Sequence, residues 1–210
     1  MINFLIMYDS SITIEEERMI EIALTEAAEL FPNLNLLMMQ PDEDEPNLTD
    51  IALQKARSKG NAANAIDLLK MISKGADDNF AITITSKKMY LNLTDLNIAD
   101  AANDIDVTDV SSDNTALYSI AEARTLELDD QMYLMQHYIC DYIGQLAYGL
   151  EQDCKDTKCM MQVIKPKSDL LKIARMEEHA TERLCDKCRA KFLKRMPYDT
   201  RTAPSRLEII

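Results

Sequence analysis

Apolar residues first gather in Ile2 to Tyr8, a run interrupted only by Asn3 and ended by Asp9. So short an apolar run reads as a buried strand. From Ile14 to Phe31 the apolar residues Ile14, Met19, Ile20, Ile22, Ala23 and Leu30 recur at helical spacing. Thr13 stands at the N-cap position, and Glu15, Glu16 and Glu17 fill the first turn, where carboxylates suit the helix dipole. Leu34 to Met39 is a second buried-strand pattern. The loop Gln40 to Asn47, with two prolines and four acids, is exposed, and a helical stretch from Leu48 to about Ser73 comes next, with Gly60 dividing it in two. Asn79 to Ser86 (NFAITITS) alternates apolar and polar residues as a strand does. Asn92 to Asn114 is rich in Asp and poor in apolar periodicity, so it reads as a long, partly irregular loop. Thr115 to Ala121 is a further strand. Leu128 to Leu150 is a long helix with Met132, Met135, Ile139, Tyr142, Ile143, Leu146 and Leu150 on one side. Beyond it a helix is expected from Ser168 to about His179, and a last helical stretch ends near Pro197. Strands alternating with longer helices predict an α/β sheet.

The chain has 210 residues, 47% of them hydrophobic, enough to bury one substantial core. An α/β body over residues 1 to 150 is expected, with residues 151 to 210 as a C-terminal segment of the same folding unit. No apolar run approaches the roughly 18 residues of a membrane span, and the apolar opening lacks a basic flank, so no membrane association and a cytoplasmic location are expected. The net charge of −13 is unevenly placed. Residues 1 to 150 carry 9 Lys/Arg against 26 Asp/Glu, whereas residues 151 to 210 carry 14 against 10. An acidic body repels a phosphate backbone, which argues against a nucleic-acid partner and for a solvated acidic face. Only the tail, with Arg189, Lys191, Lys194 and Arg195, suits an anionic partner. The chain holds four glycines and neither a P-loop nor a G-x-G-x-x-G turn, so no nucleotide site is expected. A serine nucleophile elbow is likewise missing. Thirteen methionines suit an irregular core, and Met132, Tyr133 and Met135 could form an adaptable protein-binding face.

Five cysteines in a chain without an export signal read as reduced thiols. Four form two short-range pairs, Cys154-x4-Cys159 and Cys185-x2-Cys188, separated by 25 residues. Zinc takes four soft ligands in a tetrahedron, and a short loop between two cysteines turns both thiolates toward one ion. One structural zinc held by Cys154, Cys159, Cys185 and Cys188 is therefore the reading, with an iron–sulfur cluster, free thiols or disulfides as alternatives. Lys155, Lys158 and Lys187 flank the ligands and offset the charge of a thiolate cluster. Cys140, on the apolar helix, reads as core packing.

ITITSKKMY (Ile82 to Tyr90), TALYSIAEAR (Thr115 to Arg124), the long helix ending at Gly149-Leu150, CKDTKCMM and CDKC together resemble the archaemetzincins, metzincin-type zinc proteins best represented in archaea. In that family a helix bears H-E-x-x-H-x-x-G-x-x-H-C, whose Cys opens C-x4-C-x-M, closed later by C-x2-C around a structural zinc. Cys154, Cys159 and Met161 match C-x4-C-x-M, and Cys185 with Cys188 match the closing pair. The resemblance implies a metzincin-like mixed sheet with helices on its faces and a C-terminal helical subdomain bound to zinc through four cysteines.

The catalytic half of the motif does not carry over. Aligned on Cys154, the three His positions fall on Ile143, Ala147 and Asp153. A second register starts at His137 and puts Asp141 one turn later and Gly144 at the motif glycine, yet Tyr138 replaces the glutamate that would activate water, and Ala147 takes the third ligand position. His179 reads as a surface histidine. The chain is thus expected to be a degenerate, non-catalytic protein that works through contacts with an unidentified protein partner, as a subunit of a larger assembly. The alternative is a zinc metallopeptidase with a divergent active site around His137 and Asp141.

Overall fold

Strand β1, Ile2–Tyr8, and helix α1, Ile14–Leu30, open the chain where the apolar pattern places them. Residues 1–40, 47–77, 79–92, 104–150, 154–156, 159, 161, 184–196 and 204–210 are described by the computed structural model. The expected helix from Ser168 to His179, and with it His179, lies outside them, as do Asp153 and Lys158. The remaining elements are β2 (Leu34–Met38), α2 (Leu48–Lys55), β3 (Ser58–Lys59), β4 (Ala62–Asn64), α3 (Ala65–Gly75), β5 (Phe80–Thr85), β6 (Lys88–Asn92), β7 (Asp104–Val107), β8 (Asp109–Ser111), β9 (Thr115–Ser119), α4 (Leu128–Tyr148), α5 (Asp186–Arg195) and β10 (Arg206–Ile209). A 3-10 turn, Ala123–Thr125, precedes α4.

These strands form two mixed sheets, ordered β10-β2-β1-β5-β9-β8 and β3-β4-β6-β7. β1 with β5 and β5 with β9 are parallel pairs, whereas β8 runs antiparallel to β9. In the smaller sheet β4 and β6 are parallel, and β3–β4 and β6–β7 antiparallel. The chain is thus mixed α/β, as the alternation of patterns predicts.

The residues group into two compact units, the first made of 1–3, 15–36 and 126–208 and the second of 4–14, 37–125 and 209–210. The second unit holds a core of small and medium side chains, among them Met7, Ala52, Ala65, Leu68, Ile72, Ala81, Met89 and Leu117. At the C-terminal ends of β1 and β5, Asp9 is 1% exposed. Its carboxylate accepts from the backbone N–H of Ser11 and Ser86 at 3.0 and 2.6 Å and from both serine hydroxyls, which satisfies a buried charge and clamps the two strand ends together.

Four expectations from the sequence need correction. Leu48 to Ser73 is not one helix broken at Gly60: α2 stops at Lys55, and Gly60, with φ of 59°, turns the β3–β4 hairpin. Asn64 ends that hairpin and caps α3, its side chain accepting from the Asp67 N–H at 2.9 Å. The stretch Asn92 to Asn114 contains β7 and β8, which form because β6 and β9 offer them ladders: Met89 pairs with Val107 and Val110 with Leu117. On α1, Ile14 and Ile22 face outward, 67% and 46% exposed, while Glu16, Met19, Ile20, Ala23, Leu24 and Ala27 form the buried stripe. On α4 every residue from His137 to Gly144 is buried, so that turn pair is packed all round rather than on one side, and Met135, also buried, cannot belong to an open binding face.

Candidate metal centre

The site grows from the ends of two helices in the first unit. α4 closes at Gly149, which adopts a left-handed conformation with φ of 57°; its N–H donates to the Gln145 carbonyl at 2.8 Å, and the Leu150 N–H to the Gly144 carbonyl at 2.9 Å. A glycine is suited to this corner because any Cβ would be strained there and would also run into the Arg195 guanidinium. Four residues after Leu150 comes Cys154, which opens the first cysteine loop. The loop folds back on itself, with the Cys154 N–H donating to the Met161 carbonyl at 3.2 Å and the Cys159 N–H to the Asp156 carbonyl at 3.1 Å. Met161, fully buried, packs on Gly144 of α4: a Cβ at that glycine would lie 2.8 Å from the Met161 sulfur.

The second pair sits at the other helix. Cys185 is the N-cap of α5 and Cys188 lies in its first turn. The Arg189 N–H donates to the Cys185 carbonyl at 2.8 Å, and the Cys185 N–H points at the Cys159 sulfur at 3.4 Å. α5 is anchored by Phe192, whose ring meets those of Tyr148 and Phe31 edge-on at 4.9 and 5.6 Å, while Phe31 and Tyr148 stack at 5.3 Å. The Tyr148 hydroxyl donates to the Pro32 carbonyl at 2.6 Å, and Arg195 Nη1 donates to the Tyr148 carbonyl at 3.0 Å, capping the last turn of α4.

All four sulfurs, of Cys154, Cys159, Cys185 and Cys188, lie within 4.8 Å of one another. Cys154 and Cys185 are separated by 3.5 Å. Four thiolates about 2.3 Å from a tetrahedral zinc stand roughly 3.8 Å apart, so the cluster can close on one ion with little adjustment. Cys154, Cys159 and Cys188 are buried and Cys185 is half-buried, as a closed structural site requires. Burial pushes the Cys159 thiol up to about 12 and raises that of Cys188. At Cys185 burial works in the same direction but is outweighed by hydrogen bonds from the Cys188 N–H and the neighbouring thiols, which lower its pKa. Holding four thiolates together in so buried a cluster takes a compensating cation.

His137 and Asp141 also lie where the sequence places them, one turn apart on α4, 1% and 0% exposed. Asp141 Oδ2 accepts from Gln145 Nε2 at 2.7 Å, and the His137 ring lies 5.8 Å from that of Tyr138 and 6.3 Å from that of Tyr133. Among the described residues no third His, Cys, Asp or Glu joins them in a ligand group; the four cysteines form the group that does assemble. Ile143 and Ala147 lie on α4 with no donor atom. Cys140 is buried, as core packing requires.

Sequence reasoning missed the roles of three contributors. Phe192 carries no motif of its own, Gly144 reads as the glycine of a degenerate motif rather than as the seat of Met161, and Arg195 reads as part of a basic tail although its guanidinium serves a helix end. Met161, picked out as a motif match, turns out to be the residue that seats the first cysteine loop.

The two mixed sheets, the long α4 and the cysteine group beyond it define an archaemetzincin-like α/β fold with a four-cysteine group able to hold one metal ion. The crystal structure of archaemetzincin from Methanopyrus kandleri superposes with a TM-score of 0.60, over 92% of this chain and 94% of that one. Identity between the two is 16%, so the likeness is one of fold. No protein-family model matches the sequence, and neither does any curated protein. None of the described helices is long and apolar enough to cross a membrane.

Proposed function

We propose that this chain is a non-catalytic archaemetzincin-like protein of the cytoplasm, in which one structural zinc on Cys154, Cys159, Cys185 and Cys188 fixes the C-terminal segment. It works through protein contacts, as a subunit of a larger assembly. The observation that carries the reading is the convergence of the four sulfurs, set against His137 and Asp141 of the buried α4, which no third residue joins in a ligand group among the described residues. The ion would take the four thiolates as its whole ligand set, which leaves it no open position for substrate or water. Its role would be mechanical. It ties the Met161 loop to the first turn of α5, and α5 in turn presents Phe192 and Arg195 to the end of α4.

One feature favours a second reading: His137 and Asp141 are buried side by side, and buried ionisable groups gather at functional sites. A divergent metallopeptidase would use this pair and a further ligand. Metal analysis of the purified chain separates the two. The structural reading expects one zinc per chain, lost in Cys185→Ser. Two zincs per chain, with peptide hydrolysis that disappears in His137→Ala, would establish the peptidase instead.

A further inference from the structure

Helix α5 carries charge unlike the rest of the chain. Residues 184 to 196 hold five lysines and arginines against the lone Asp186, while the remainder of the chain holds 18 against 35 Asp/Glu. Lys187, Lys191 and Lys194 stand at i, i+4 and i+7, so they share one face of the helix, beside the face that buries Cys188 and Phe192. Lys187 and Lys194 are exposed and Lys191 is half-buried. The stripe is about 10 Å long. Like charges one turn apart weaken a helix, and here no acid on α5 beyond its first turn offsets them. The helix keeps its place through Cys188 and Phe192 rather than through its own propensity.

We propose that this lysine face of α5 is a docking surface for a short acidic, Asp/Glu-rich segment of a partner protein. Charge complementarity selects an anion, and two observations select a peptide over a nucleic acid. The only aromatic residue of α5, Phe192, is buried, so the helix offers no platform on which bases could stack. A nucleic acid would also extend past the roughly 10 Å stripe, whereas a short acidic segment stays within about one Debye length of the lysines. The inference deepens the reading of the chain as a protein-contact scaffold and rests on it.

The test titrates the zinc-loaded full chain with a short fluorescein-labelled oligoglutamate at low salt and follows anisotropy, with a single-stranded oligonucleotide of equal charge in parallel. The expected result is peptide binding that weakens with added salt and falls about tenfold, the size to which ion pairs at two exposed lysines and one half-buried lysine sum, in Lys187→Gln/Lys191→Gln/Lys194→Gln. A control triple, Lys55→Gln/Lys70→Gln/Lys74→Gln, should bind as the parent does. Should the α5 triple lose zinc or fold, the double Lys187→Gln/Lys194→Gln, which alters only the two exposed lysines, takes its place with a proportionate loss. Binding unchanged by the α5 substitutions, no binding at low salt, or tighter binding of the oligonucleotide through the same lysines would each overturn the proposal. Zinc content measured on the same samples keeps this outcome separate from the fate of the structural-zinc reading.

Discussion

Gly149 joins backbone strain and packing in one residue. Its left-handed φ costs a side-chain-bearing residue about 1–2 kcal/mol, and a methyl there would displace the Arg195 guanidinium from the end of α4. Gly149→Ala is therefore expected to lower stability by at least that amount in denaturant titration while leaving the zinc content at one per chain. A second residue-scale case is Asp67, whose carboxyl is held below its ordinary value, first by the hydrogen bond from the Arg57 side chain. Arg57 meets it through Nε at 2.7 Å and Nη2 at 2.8 Å, in addition to its backbone N–H at 3.0 Å. A depressed carboxyl contributes stability above its unfolded pKa and loses it as pH falls through the folded one, so the contribution is present at pH 7 and fades below about pH 4. The pair is partly exposed, and Asp67→Asn should cost no more than about 1 kcal/mol at pH 7 and progressively less as the pH falls below about 4, as read by thermal melts across that range.

Among the elements, α5 shows how a helix with poor intrinsic support is held. Its ten residues include five cations, and its buried side chains are Cys188 and Phe192. Phe192→Ala removes the ring that meets both Phe31 and Tyr148, and a loss of about 3–5 kcal/mol is expected, visible as a lowered denaturation midpoint and early exchange of the α5 amides. The legibility of elements tracked their local signals. β1, α1, β5, β9 and α4 carry apolar runs or long periodic patterns and lie within a residue or two of where those patterns put them. β3, β4, β7, β8 and β10 have two to four residues each, too few to show a period, and exist because a neighbouring strand supplies the hydrogen bonds. Gly60 illustrates the same limit, since a glycine between two apolar stretches fits a helix break and a hairpin turn equally well.

For the molecule as a whole, the metal reading predicts how stability is distributed. Strong chelation should expose the amides around Cys154 and Cys159 and those of residues 184–196 to rapid hydrogen exchange while the strands of the second unit keep their protection; uniform protection after chelation would show that no ion supports the segment.

The sequence by itself determined the α/β class, the boundaries of the long elements and the pairing logic of the four cysteines, because each is written in local spacing: apolar period, cap residues, and loops short enough to turn two thiolates one way. Only the tertiary structure decided that the two pairs meet, since 25 residues of sequence lie between them and chain entropy alone does not choose which distant segments close. It also decided that Arg195 serves a helix end rather than a basic tail, that Met161 needs Gly144, and that His137 and Asp141 are buried all round. Those outcomes depend on which surfaces pack together, and packing is a property of pairs of elements that no single stretch of chain contains.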